Sequence, residues 1–492
     1  MPMFIVLLSF LCLLLGYSSF PSAVNAAGSA QAVKSRMELP LPSEPWTGDL
    51  DGMIERRLIR VLVVYSKTFF FVDKGTQRGT TYELFRKFEE DLNRQLKTRH
   101  LRVHVVFVPV SRDQLIPDLR EGRGDIAAAN LTVTGERDKL VDFTDPLITG
   151  VSEIVVTGPD SPPVAGLDDL AGREVFVRPS SSYHESLVKL NERFKQEKKP
   201  LVKLIPAPEN LEDEDLLEML HAGLLSALVV DSHKAQFWRQ ILPKIVLNEA
   251  AAVRTGGRIA WAIRENSPGL MAALNEFVAR HGSESAFGSD LFRRYLKSTR
   301  YVKNSTSEAE MRKFREVVQF FRKYGDQYGM DWILMAAQGY QESRLDQKAR
   351  SPVGAIGVMQ VMPATGRELN VGDITRTEPN IHAGVKYIRF MVDQYFKNEP
   401  MDDLNKGLFA FAAYNAGPGR VRQLRREAEK RGLNPNEWFN HVEVVAAEKI
   451  GRETVTYVSN IYKYYIAYKL VQQEYIERRE AKEKMLQEQN PK

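Results

Sequence analysis

Two kinds of hydrophobic pattern divide the chain. Through the first three hundred residues, short β-branched runs such as "IRVLVVY" (59–65), "RVHVVFVPV" (102–110), "GDIAAANLTV" (124–133) and "SEIVVTG" (152–158) alternate with helical stretches such as "YELFRKFEEDLNRQL" (82–96). Strands separated by helices predict an α/β domain with a largely parallel sheet. A second set follows, "REVFVRP" (173–179), "LVKLIPA" (201–207), "LSALVVDS" (225–232) and "RIAWAIRE" (258–265). Two sets in tandem predict two lobes with a cleft between them.

After about residue 300 the strand pattern ends. In "SEAEMRKFREVVQFFRKYG" (307–325), Met311, Phe314, Val317, Val318 and Phe321 fall at helical spacing, and Gly325 reads as the C-terminal cap. The chain stays helix-like, and rich in Tyr and Ala, to about residue 475. The expected divisions are an α/β unit over 55–300 and an all-α unit over 305–475, with the boundary near 298–306. Residues 27–54, rich in Ala, Ser and Pro ("ELPLPSEPW"), read as a linker with little structure. The charged tail, 476–492, reads as a solvated, frayed helix.

Composition adds limits rather than chemistry. At 492 residues, two or three domains are expected, and 43% hydrophobic content supports real cores. A net charge of +5 is mild and does not by itself choose a partner. The N-terminus says more. Residues 4–15 form an apolar run too short to span a bilayer, followed by "SAVNAAGSA" with a cleavage position after Ala26. Residues 1–26 therefore read as an export signal, with an uncleaved anchor as the alternative because "MPMF" carries no Lys or Arg. The single cysteine, Cys12, follows Leu11 rather than a small residue, so lipidation is not expected, and the mature chain would hold no disulfide. The histidines are scattered and no phosphate-binding loop is present. No metal, cofactor or nucleic acid is expected.

The candidate chemistry lies in the helical part. A helix capped by Asp331 runs through "WILMAAQGYQ" and ends on Glu342 and Ser343. The partial negative charge of a helix C-terminus and apolar neighbours both favour a protonated glutamic acid, the form a general acid needs. The loop "SPVGAIGVMQVMPATG" (351–366), with Gly354, Gly357, Met359 and Gln360, lets a ligand approach the backbone closely. "FAAYNAGPGRV" (411–421) presents Tyr414 and Asn415, and "GRETVTYVSNIYKYY" (451–465) supplies Tyr457.

ES, GAIGVMQ, AYN and ETVTYV in this order resemble the lytic transglycosylase domain of the soluble-transglycosylase type, a goose-lysozyme-like helical fold. Val358 stands where the family usually carries Leu. The resemblance covers about 310–470. It implies cleavage of the β-1,4 bond between N-acetylmuramic acid and N-acetylglucosamine in peptidoglycan strands, leaving a 1,6-anhydro end. It further implies one catalytic carboxylate, Glu342, with Ser343, Met359, Gln360, Tyr414, Asn415 and Tyr457 placing the acid and the sugar.

Residues 56–300 resemble the family 3 solute-binding proteins for amino acids, chiefly through "GDIAAANLTVTGERDKLVDFTDPL" (124–147). That resemblance implies a small amino-acid or muropeptide ligand, its carboxylate held by Thr132 and Arg137. Ser181 and Ser182 at a helix start, and Asp231 at a strand end, would complete the site in the second lobe. The lobe aromatic stays open between Tyr65 and Phe69–Phe71. The fusion implies a periplasmic enzyme of a Gram-negative cell, peripherally attached to the inner face of the outer membrane. The competing reading is a periplasmic receptor whose helical domain binds the wall without catalysis.

Overall fold

The computed structural model describes residues 36–41, 44–98, 100–299, 301 and 308–489; the export signal read over 1–26, Cys12 and the end of the tail lie outside these residues. Eleven strands form in the first part: β1 (Leu58–Val63), β2 (Phe71–Asp73), β3 (Thr76–Arg78), β4 (His104–Pro109), β5 (Ile126–Thr132), β6 (Asp142–Phe143), β7 (Ile148–Thr157), β8 (Glu174–Val177), β9 (Lys203–Pro206), β10 (Ala227–Asp231) and β11 (Val246–Ile263). All but β2 and β3 join one sheet in the order β4-β1-β5-β11-β7-β10-β8-β9, with β6 against β11.

The parallel expectation holds at both ends of the sheet and fails at its centre. β4, β1 and β5 are parallel, as are β10, β8 and β9. β7 and β11, between them, run antiparallel to their neighbours. These two strands carry the chain from the first lobe to the second and back, so they must oppose each other. The sequence pattern predicts only the end of β11, because its first half, "VLNEAAAVRTGG", lacks β-branched density.

Helices cover the sheet: α1 (Leu50–Glu55), α2 (Thr80–Gln95), α3 (Leu115–Arg120), α4 (Ser182–Gln196), α5 (Asp213–His221), α6 (Ser232–Arg239), α7 (Pro268–His281) and α8 (Ala286–Leu296). In α2, Leu84, Phe85, Phe88 and Leu92 recur at helical spacing and enter the first-lobe core. The second part is helical: α9 (Glu308–Tyr328), α10 (Trp332–Ser343), α11 (Pro363–Glu368), α12 (Thr377–Met391), α13 (Asp403–Ala416), α14 (Pro418–Lys430), α15 (Glu443–Lys449) and α16 (Arg452–Gln489).

Three readings need correction. Gly325 does not end its helix: α9 continues to Tyr328, and Gly329 (φ +62°) supplies the left-handed turn. The segment read as a linker is ordered from residue 36. Met37 and Leu39 are buried in the helical core, Met37 bonds to Gly329 and Asp331 through its backbone, and Asp49 caps α1 while accepting from Gly269 and Leu270. Proline and serine signal irregular backbone there, but irregular is not unpacked.

The charged tail is the third. α16 is one helix of 38 residues, about 57 Å long at 1.5 Å per residue. Along it, Val455, Val458, Ile461 and Tyr465 enter the helical core, Val471 the first-lobe core and Met485 a second-lobe core. The charges on its buried face are paired rather than solvated. Arg478, buried, donates to the Tyr65 carbonyl of the first lobe (2.8 Å) and pairs with Asp215 and Glu214 of α5 in the second. Burial alone would push the Asp215 carboxyl up, but Arg478 beside it holds it below its ordinary value.

Arg478→Ala would strand two buried carboxylates. It is expected to lower unfolding free energy by about 3 kcal/mol, read by urea denaturation. A change under about 0.5 kcal/mol, the level of an ordinary surface substitution, would show the ion pairs to be solvated.

Candidate active site

α10 is anchored at both ends. At its start Asp331, buried, accepts from the Ile333 amide (2.8 Å) and pairs with Lys469 of α16 (2.7 Å). Every residue from Ile333 to Tyr340 is buried. At its end Arg344 and Leu345 both take left-handed backbone (φ 56° and 64°), costly for residues with a Cβ, and this double turn stops the helix just past Glu342.

Ser343 makes the turn hold. Its hydroxyl donates to the Val358 carbonyl (2.9 Å) and accepts from the Asp346 amide (3.1 Å), pinning the helix end to the 351–361 loop. That loop is shaped by Asn380 of α12, fully buried. Its side chain accepts from the Met359 amide (2.9 Å) and donates to the carbonyls of Ile356 (2.8 Å) and Ile374 (3.1 Å). Gly357 (φ +77°) lies so close to the amides of Gln347 and Asn380 that a Cβ there would stand 2.5 Å and 2.7 Å from them.

Glu342 is half-buried. Its Oε1 accepts from the Tyr457 hydroxyl of α16 (2.5 Å), and that hydroxyl accepts in turn from Nε2 of Gln338 (3.2 Å). Burial pushes the Glu342 carboxyl up to about 7, against a lowering by the Tyr457 hydroxyl. Among the described residues no lysine, arginine or histidine forms an ion pair with it. The cause is thus desolvation, one of the two expected from sequence; Tyr457 is expected there as a residue that places the acid, and its lowering of the carboxyl is the added finding.

The other candidates divide by what their polar atoms do. Tyr414 donates to the Met359 carbonyl (2.7 Å) and packs edge-on against Tyr387. Asn415 is exposed, and its Oδ1 accepts from Thr454 (2.6 Å), leaving its amide nitrogen free to donate outward. Gln360, in left-handed backbone, folds onto its own turn and donates to the Gly357 carbonyl (2.9 Å). Met359 departs from the expectation: its side chain is fully buried, and its backbone amide and carbonyl are bonded to Asn380 and Tyr414. Gln338 and Asn380 were not singled out. The signal for Gln338 was present, an amide one helical turn before Glu342 in an otherwise apolar run.

The solute-binding candidates meet where the lobes meet. Thr132, Ser181, Ser182 and Asp231 are all buried. Arg137 donates to the carbonyls of Thr132 (3.0 Å) and Ser180 (2.9 Å), and lies 3.7 Å from Glu185. Asp231 accepts from Asn130 (2.9 Å) across the lobes and lies 3.2 Å from Lys234. Ser181 caps α4, accepting from the His184 amide (3.2 Å). Beside them Arg112 of the first lobe holds Glu212 of the second through two bonds, 2.9 and 2.7 Å. The lobe surfaces thus satisfy part of one another's polar groups, while Oδ1 of Asp231 and Oε2 of Glu185 have no hydrogen-bond partner among the described residues.

Residues 59–296 match the bacterial extracellular solute-binding proteins, family 3, and residues 319–436 match the transglycosylase SLT domain. A membrane-bound lytic murein transglycosylase F of Desulfosudis oleivorans is 28% identical over 83% of this chain and 89% of its own. One of Idiomarina loihiensis is 28% identical over 84% and 90%. Over both of its parts the chain is similar to the membrane-bound lytic murein transglycosylases F. An ancestral arginine-binding protein bound to arginine is 22% identical, with a TM-score of 0.40, covering 48% of this chain and 97% of that one. Among the described residues, no helix is long and apolar enough to cross a membrane, and no His, Cys, Asp and Glu group could hold a metal ion.

Because the fold raises the Glu342 pKa from 4.5 to about 7, it favours the protonated form, and that stability is lost as pH rises through about 7. Glu342→Gln removes the charge penalty. Its stability relative to the parent is expected to grow by about 2 kcal/mol between pH 5 and pH 8, read by urea denaturation at both. A constant difference would mean that Glu342 is ionised at the ordinary pH.

Proposed function

We propose that this chain is a peptidoglycan lytic transglycosylase whose single catalytic acid is Glu342. It would cleave the β-1,4 bond between N-acetylmuramic acid and N-acetylglucosamine. The observation that carries the reading is a half-buried carboxyl, pushed up to about 7 and held by Tyr457, with no ion-pair partner among the described residues. Ordinary glycosidases need two carboxylates, one to protonate the leaving oxygen and one to attack or to activate water. Here one suffices if the sugar supplies its own nucleophile.

Glu342 first gives its proton to the glycosidic oxygen. Now ionised, it takes the proton of the muramic acid C6 hydroxyl as that oxygen attacks C1, closing the 1,6-anhydro ring. The nucleophile and the reacting carbon share one ring, so proximity replaces an activated water. Asn415 is placed to donate to an acetamide carbonyl. Tyr414, Gln360 and the Met359 backbone hold the loop that faces the strand, and Ser343 and Tyr457 hold the acid.

The solute-binding domain would sense a small amino-acid or muropeptide ligand through Thr132, Arg137, Ser181, Ser182 and Asp231. Such a ligand must displace Ser180 and Glu185 from Arg137, so it favours a lobe arrangement other than this one. The relatives' name, membrane-bound, supports attachment to a membrane, and the attachment proposed is peripheral, at the inner face of the outer membrane. A non-catalytic wall anchor has no use for a raised carboxyl pKa.

Digestion of purified sacculi is expected to give fragments one water lighter than reducing ends by mass spectrometry. Glu342→Gln is expected to abolish them, a loss of at least about 1000-fold. Near-parent turnover in that variant, or reducing ends alone, would end the assignment. Saturating ligand, its binding confirmed by a rise in Tm, is expected to change the rate of anhydro-product release. An unchanged rate would remove the regulatory part and leave the lyase.

A further inference from the structure

Gln338 is an odd residue for its place. It is fully buried in the middle of α10, between Ala337 and Gly339 and among apolar side chains, where leucine or methionine would pack without a polar atom to satisfy. Only half of its amide is used. Nε2 donates to the Tyr457 hydroxyl at 3.2 Å, while Oε1 has no hydrogen-bond partner among the described residues. As a packing residue it is therefore a net cost. The bond to Tyr457 is what the position gains.

That bond settles a direction. The Tyr457 hydroxyl has one hydrogen, and its contacts are Gln338 and Oε1 of Glu342. With Nε2 turned to it, the tyrosine oxygen accepts from the amide and its hydrogen has one acceptor in reach, Oε1. Tyr457 then donates to Glu342 whether the carboxyl is charged or neutral. In the neutral acid the proton must sit on the other oxygen, Oε2, which no described residue contacts by a hydrogen bond. The acid's proton is thus kept off the tyrosine and left for a substrate.

We propose that Gln338 is a positioning residue of the lytic reaction, acting through Tyr457 to fix which oxygen of Glu342 carries the catalytic proton. The proposal rests on the lyase reading above. It also accounts for both steps: once the proton has left for the glycosidic oxygen, the tyrosine bond to Oε1 supports the carboxylate that receives the C6 hydroxyl proton. Among the described residues, the titratable groups facing Glu342 are Tyr457 from α16 and Tyr414 from α13. Neither is charged in the working range, since burial raises both well above the ordinary tyrosine value. A change in the pH limb is therefore attributable to the tyrosine–amide pair.

Two variants test this. Gln338→Met keeps the volume and removes the donor; Gln338→Glu keeps the shape and turns an acceptor to the tyrosine. Loss of the amide bond weakens Tyr457 as a donor to the carboxylate, so the Glu342 pKa rises. Activity falls as Glu342 ionises, so the alkaline limb of the rate profile moves up. In Gln338→Met the rate at saturating soluble peptidoglycan strands is expected to fall about tenfold, with an unchanged KM and the limb raised by about half a pH unit or more. Gln338→Glu is expected to lose more, because its carboxylate draws the tyrosine hydrogen away.

Tm and circular dichroism establish that each variant is folded. Parent rates and a parent pH limb in both would overturn the proposal. So would a slower Gln338→Met enzyme with the parent limb and a lower Tm, which marks a packing defect alone. Anhydro products from the parent together with an inactive Glu342→Gln uphold the lyase whatever Gln338 does; their absence overturns the lyase reading itself.

Discussion

One helix ties the molecule together, and most of the rest depends on its staying whole. α16 gives Tyr457 to the candidate acid, Lys469 and Tyr465 to the cap of the helix that carries that acid, and Arg478 to both lobes of the sheet domain. A solvated helix of this length would gain little from its own hydrogen bonds and would fray. This one persists because its buried face changes partner along its length: aliphatic and aromatic in the helical core, tyrosine against the β2–β3 hairpin, then arginine and lysine against α5. The hairpin contact matters most for the site. Tyr468 donates to the Gly75 carbonyl, and Tyr340, two residues before Glu342, donates to Thr76 (3.0 Å).

The acid is held by geometry and raised by desolvation, and these two demands conflict. Burial lifts the pKa, yet an acid must also be reached by its substrate. The conflict is resolved by placing Glu342 in the last turn of a buried helix, half-exposed, and by ending that helix abruptly. Two consecutive left-handed residues and the Ser343–Val358 bond set the loop's 351–361 backbone beside the carboxyl instead of another helical turn. The strain and the raised carboxyl are both stability given up at a working site, a usual location for such losses.

How much could be read in the chain follows from which physical signal each feature leaves. The lobes were legible because strand alternation and β-branched runs have a period; so was α10, with Asp331 as its cap. Glu342 and its companions were legible as an ordered set of short motifs, while each alone was compatible with ordinary packing. Charge was the poor guide. Arg478, Lys482 and the acidic start of α5, "EDED", look like solvated faces in one dimension, and nothing in either stretch says that they face each other. The Pro-rich stretch before α1 failed similarly, since two buried side chains, Met37 and Leu39, suffice to order it against the helical core. Gln338 leaves a local signal, an amide in an apolar run, but what it bonds to is not legible, because its partner lies 119 residues away.

The same geometry limits what a signal between the domains can be. Tyr457 and Arg478 lie 21 residues apart on one uninterrupted helix, about 32 Å along its axis. A helix packed along its length does not transmit a displacement by bending at an arbitrary point; it moves as a rod or it unwinds. Separation of the lobes must therefore either break Arg478 from one of them or carry the rod. Breaking it leaves Asp215 and Glu214 buried without their counter-charge, which is costly. Carrying it drags Tyr457 from Glu342 and Tyr468 from Gly75 together. Only where the rod is carried are a lobe movement and a change at the acid coupled, and a ligand that binds one lobe arrangement better would reach the candidate acid by that route alone.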